Sequence, residues 1–197
     1  FMNFYITNVM EDYTPDMDQL LFYLPLAGST FKKVYYDEGL GRAVSKFVPA
    51  ENLVVPYEAA DLESCPNVTH VVKMSLNELR KKQLNGFYLD IPVLPAQSSD
   101  GGALQNELDQ LKGIEPSTID YDCTLLECHV DLDIEGFEDT GENGEATGIK
   151  IPYVVTISQD NGQILSIRRN YRDDDEQKKK IQYFVHYKFL PGFGFYG

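Results

Sequence analysis

The chain has 197 residues, 43% apolar and 12% aromatic, which is enough for one sizeable core or two small ones and excludes a disordered chain. Seventeen Lys and Arg against thirty-one Asp and Glu give a formal charge of −14, excluding general adhesion to duplex DNA or anionic membranes, since both need a basic surface. The longest nearly uncharged apolar stretch, Leu20 to Phe31, contains Pro25 and Gly28 and is too short to span a bilayer.

Residues 1 to 24 read as helical in two steps. Thr14 is the expected N-cap of the second step and Pro15 its first helical position, with Met17, Leu20, Leu21 and Leu24 on one face. Phe31 to Tyr36 and Val44 to Val48 then form a hairpin around Asp37-Glu-Gly-Leu-Gly41. Leu53 to Tyr57 and Thr69 to Lys73 are short β candidates. Ser75-Leu-Asn-Glu78 is a capping box, so 76 to 85 is a helix, and Gly86 stands at its C′ position. A loop rich in Pro, Ser and Gly follows, and then a second short, acidic helix over 103 to 112.

From Asp122 the period becomes two. Leu126, Cys128, Val130, Leu132 and Ile134 alternate with Glu127, His129, Asp131, Asp133 and Glu135, so the first set is expected to be buried and the second wet. Glu138 to Gly148 is expected to be a mobile hairpin loop, and 151 to 158, 164 to 171 and 181 to 189 three strands of one antiparallel meander. Helices early and strands late predict an α+β fold: an N-terminal helix, a largely antiparallel sheet ending in that meander, and two short helices. The expected organisation is a helical lead-in over 1–27, a single α+β domain over 28–190, and a Gly/aromatic exit segment over 191–197.

Gly192, Gly194 and Gly197 spell G-x-G-x-x-G, but a dinucleotide site also needs a following helix and a downstream acid, and rings at 193, 195 and 196 would crowd a pyrophosphate. The segment reads instead as a joint whose aromatic rings pack on residues 1 to 31 or on a neighbouring copy. Along the face Glu127, His129, Asp131, Asp133, Glu135, alternate side chains sit about 6 to 7 Å apart, so a shared cation would need help from the loop at 138 to 145. The plainer reading is a solvated strand face.

Nucleophilic catalysis has no G-x-S-x-G elbow to support it, and Ser29 reads as a turn residue. His70, His129 and His186 fall on separate strands, each without a partner visible in the sequence. Cys65, Cys123 and Cys128 lack a C-x-x-C pair and read as small apolar residues with free thiols. Arg168, Arg169 and Arg172 with Lys178 to Lys180 enclose Asp173 to Glu176, which reads as a self-neutralising turn.

Three blocks, Leu20 to Asp37, Val44 to Pro56 and Tyr183 to Gly197, resemble the head-to-tail portal protein of tailed bacteriophages, in its short-tailed-phage branch. The resemblance covers nearly the whole chain and is weakest from Asp90 to Asp122. It implies an internal fragment, from the outward-facing clip and adjoining stem, of a ring of about twelve subunits at one capsid vertex. It further implies DNA as cargo in a channel, and terminase and tail or head-completion proteins as partners. The setting would be the virion, and the host cytoplasm during assembly. It implies no enzyme and no catalytic, cofactor-binding or metal residues. The alternative carried beside it is a metal-dependent hydrolase or cation-binding β module using the strand face 127–135, with Glu127, His129 and Asp131 as its working residues.

Overall fold

A computed structural model describes residues 1–37, 39–93, 123–140, 144–190 and 195. The fold is α+β, with two antiparallel sheets. One has three strands in the order β2-β1-β8, from β1 (Ser29–Asp37), β2 (Arg42–Pro49) and β8 (Phe184–Lys188). The other has five in the order β3-β4-β5-β6-β7, from β3 (Leu53–Val54), β4 (Asn67–Met74), β5 (Cys123–Leu132), β6 (Ile151–Ser158) and β7 (Ile164–Arg169). The helices are α1 (Met2–Phe4), continued by a π-helical turn, α2 (Tyr13–Ala27) and α3 (Leu76–Leu84).

The lead-in breaks in two as the sequence suggests, but Thr14 is not the N-cap. Helix α2 starts at Tyr13 with Asp12 at its cap position, and Asp12 directs its carboxylate to Arg42, 3.0 Å away. Pro15 is thus the third helical residue, where its missing N–H still costs no hydrogen bond. Gly28 ends the helix at φ 73°, a left-handed conformation that a side chain would disfavour. Ser75 Oγ accepts a hydrogen bond from the Glu78 backbone N–H at 3.2 Å, so the cap of α3 forms where its sequence places it.

Helix α2 lies on the outer side of the three-stranded sheet. Asp16 accepts a hydrogen bond from the Phe47 N–H at 2.8 Å and stands 3.1 Å from the buried ammonium of Lys32. On the other side of that sheet, Phe31 and Val48 join Leu53, Leu62, Cys65, Val68 and Phe184 in a core shared with the five-stranded sheet. A second core under α3 gathers Met74, Leu79, Tyr88, Cys123, Leu125 and Leu165. Among the described residues no helix is long and apolar enough to cross a membrane.

Three expectations about the strands also need correcting. The strands 151–158, 164–171 and 181–189 do not form one meander. β6 and β7 pair with each other, but β8 leaves for the other sheet and pairs with β1, Ser29 opposite Lys188 and Phe31 opposite His186. The Leu89 N–H already bonds the Leu165 carbonyl on the outer side of β7, and Phe184 finds its apolar partners in the core shared with Phe31. Secondly, the β candidate at 53–57 is a strand only over Leu53–Val54. Thirdly, the burial of β5 is not the simple alternation expected. Cys123, Leu125 and His129 are the buried positions, while Leu126, Cys128, Val130 and Leu132 are half-buried. One face of β5 passes first under α3 and then against the three-stranded sheet, so Glu127 and His129 are enclosed instead of wet.

Thr140 and Ala146 form an isolated antiparallel bridge within the acidic loop. The expected helix over 103–112 lies outside the described residues, as do Gly192, Gly194 and Gly197.

Candidate functional site

Strand β1 carries two consecutive lysines, and a strand points consecutive side chains to opposite faces. Lys32 therefore faces α2, and Lys33 faces the five-stranded sheet. Each meets one acid. Lys33 Nζ donates to both carboxylate oxygens of Glu127 at 2.6 and 2.7 Å, with both side chains about 15% exposed. His129, two residues along β5 on the same face, places Nε2 at 2.8 Å from Glu127 Oε1. An ionised carboxylate only accepts, so this nitrogen carries the hydrogen.

Burial on its own would raise the Glu127 pKa. The hydrogen bond from His129 and the charge of Lys33 outweigh it and hold the carboxyl well below the usual carboxylate range. His70 stands directly opposite Glu127 in the β4–β5 register. Burial, reinforced by the charge of Lys33, pushes its pKa down to about 4. Its Nδ1 is buried without a hydrogen-bond partner among the described residues. The rings of His70 and His129 both meet Phe184 edge-on, at 5.6 and 5.2 Å. The whole group lies where the two sheets face each other.

This arrangement brings Glu127 and His129 together but leaves Asp131, Asp133 and Glu135 out of it. Among the described residues no three His, Cys, Asp or Glu side chains are placed to hold a metal ion. The acidic face at 127–135 divides into a buried carboxylate already met by donors and exposed carboxylates at 133 and 135. A carboxylate saturated by a lysine and a histidine is a poor cation ligand and a poor general base, because its lone pairs and charge are committed.

Ser29, read as a turn residue, is instead the first residue of β1 and wholly buried. Its Oγ meets His186 Nε2 across the β1–β8 pair. The His186 ring packs against both Phe31 and Phe195, with ring centroids 4.5 and 4.7 Å away. Burial, then the charge of Lys188, lowers the His186 pKa to about 4. Among the described residues no carboxylate is hydrogen-bonded to His186, and a hydroxyl with no exposed surface cannot meet a substrate. The pair closes the end of the sheet. Phe195 packs on Phe31 at 6.0 Å, as the reading of the tail expects for its aromatic rings.

The basic cluster works within the chain. The Arg168 guanidinium stacks 3.6 Å above Phe87 and donates to the Phe87 carbonyl, Lys178 pairs with Asp139, and Lys180 donates to the Cys65 carbonyl at 2.6 Å. Asp175 caps the turn by accepting from the N–H groups of Gln177 and Lys179. The Cys65 and Cys123 thiols each approach a backbone carbonyl, that of Asn67 at 3.0 Å and that of Met74 at 3.2 Å.

A groove of about 430 Å³ beside α3 shares no residue with the inter-sheet cluster, and its two charged side chains, Arg80 and Asp90, pair with each other. Against His129 and the approach to β8 there is room for at most one water, about 10 Å³.

Sequence reasoning singled out Glu127 and His129 for the wrong environment and passed over Lys33. The signal was present: two adjacent lysines inside the otherwise apolar and aromatic run Phe31 to Tyr36 are costly unless each finds an acid. No protein-family model matches the chain, and no curated protein matches it significantly.

Proposed function

We propose that this chain is a structural module of a portal-type ring subunit, acting by assembly and not by catalysis, with DNA passing as cargo. One observation carries the reading. The way into the β body and the way out of it lie side by side: the Phe189 N–H donates to the Gly28 carbonyl at 2.9 Å, and Ser29 pairs with Lys188. A β body whose two ends run together at one point can project from a larger scaffold without interrupting it.

Two properties support it. A charge of −14 keeps phosphates from being gripped, which suits a conduit. Helix α2 leaves Leu21, Phe22 and Leu26 56%, 72% and 74% exposed, on the segment that would join the ring. In this reading terminase and tail or head-completion proteins dock on the assembled ring, in the virion or in the host cytoplasm during assembly.

The test is to express the complete reading frame that encodes the chain and to image it by electron microscopy. Closed rings of about twelve subunits are expected. A stable full-length monomer would overturn the reading.

A further inference from the structure

We propose that the cluster of Lys33, Glu127 and His129, with His70 opposite Glu127, is an acid-released clasp between the two sheets. It holds whatever the chain assembles with, since every group in it belongs to one copy. The clasp is the polar part of an otherwise apolar contact: Phe31, Val48 and Phe184 meet Leu53, Leu62 and Val68 beside it. The described chain crosses between the sheets twice, over Ala50–Asn52 and over residues 170–183 between β7 and β8, and away from these two tethers the sheets are held by side chains.

The charge count is what makes the clasp sensitive to acid. Glu127 is the acid hydrogen-bonded to both Lys33 and His129. Around it stand Lys33 and Tyr35 from β1, His70 from β4, and Tyr183 ahead of β8, its ring 5.5 Å from His129. Lys46 of β2, Lys82 of α3 and Arg168 of β7 add positive charge at longer range. With His70 neutral, the one carboxylate faces the Lys33 ammonium and the His129 ring N–H. A proton on His70 adds a half-buried cation near Lys33, on a side chain whose Nδ1 has no acceptor among the described residues. That charge is better solvated when more water reaches the junction, and more water reaches it when the sheets part. Acid therefore favours the parted arrangement before either sheet is lost.

The experiment is a spin-label distance measurement on the whole chain, with labels at Tyr36 and Lys73, one in each sheet, in a Cys128→Ser background. Between pH 7 and pH 4.5 the distance distribution should widen while the far-ultraviolet circular dichroism keeps its β signal. His70→Gln and, should that variant fold poorly, His70→Phe should remove most of the widening, whereas His186→Gln should leave it in place. An unchanged distribution down to the pH of global unfolding would overturn the proposal. So would widening of equal size in a folded His70 variant.

Discussion

Lys33 Nζ reaches both carboxylate oxygens of Glu127, at 2.6 and 2.7 Å, across the space between two sheets, while its neighbour Lys32 turns the other way and stands 3.1 Å from Asp16. Two adjacent lysines thus tie the central strand to the layer on each side of it. A buried pair of this kind adds little over a well-packed apolar pair, but breaking it from one side leaves a charge without a partner.

That asymmetry gives the first prediction. Lys33→Met should destabilise the chain by about 3–5 kcal/mol, because Glu127 stays enclosed with only His129 to face. The double variant Lys33→Met with Glu127→Gln should be more stable than the single lysine variant. Urea unfolding followed by circular dichroism measures both. Equal stability of the single variant and the parent would show that the pair contributes nothing.

The pH dependence follows from the two enclosed histidines with lowered pKa values. The His70 pKa falls from 6.5 to about 4, so its contribution is fully present above pH 6.5 and is lost as pH falls towards 4. His186 acts in the same direction over the same window. Glu127, held below its ordinary value of 4.5, contributes above that value and is lost only at lower pH. The melting temperature should therefore fall between pH 6.5 and 4. The combined variant His70→Gln with His186→Gln should flatten that fall. Calorimetry at half-unit pH steps decides it, and a fall of the same steepness in the variant would refute the assignment.

How much of this is legible in the sequence depends on what kind of signal each feature leaves. The α3 cap and the start of the period-two run are local and lie where capping chemistry and side-chain alternation put them. The sheet to which Phe184–Lys188 belongs is not local: any strand of that composition can pair with β7 or with β1, and the choice rests on Leu89 covering β7 and on Phe31 receiving the aromatic side chains. The face of β5 fails for a similar reason. A period of two says that faces differ, but not that a lysine from residue 33 will make the charged face the inner one.

Phe31 should be the most sensitive single core position. It has no exposed surface, stacks on His186 and Phe195, and belongs to the core shared by both sheets. Phe31→Ala should cost about 3–5 kcal/mol, since the rigid neighbours on β1 and β8 cannot close the space. Phe195→Ala should cost less, because Phe195 is 7% exposed whereas Phe31 has no exposed surface. Denaturation midpoints of the two variants test the order, and a larger loss at Phe195 would reverse the picture of which ring supports the other.

The exposed face of α2 is where assembly and folding can be separated. Leu21, Phe22 and Leu26 contribute little to the described body, whereas Leu20 on the same helix is fully buried and Asp16 is tied to Phe47 and Lys32. Substituting the three exposed residues together, Leu21→Glu, Phe22→Glu and Leu26→Lys, should leave the melting temperature of the isolated chain nearly unchanged, as surface changes usually do, within about 0.5 kcal/mol each. In the complete reading frame the same substitutions should abolish ring formation, because they place charges where an apolar surface must be covered. Sedimentation velocity and electron microscopy give the two readouts. Normal rings from the triple variant would mean that this face is not the subunit contact, even if rings form; a variant that loses its β signal would mean that α2 holds the body together and not its neighbours.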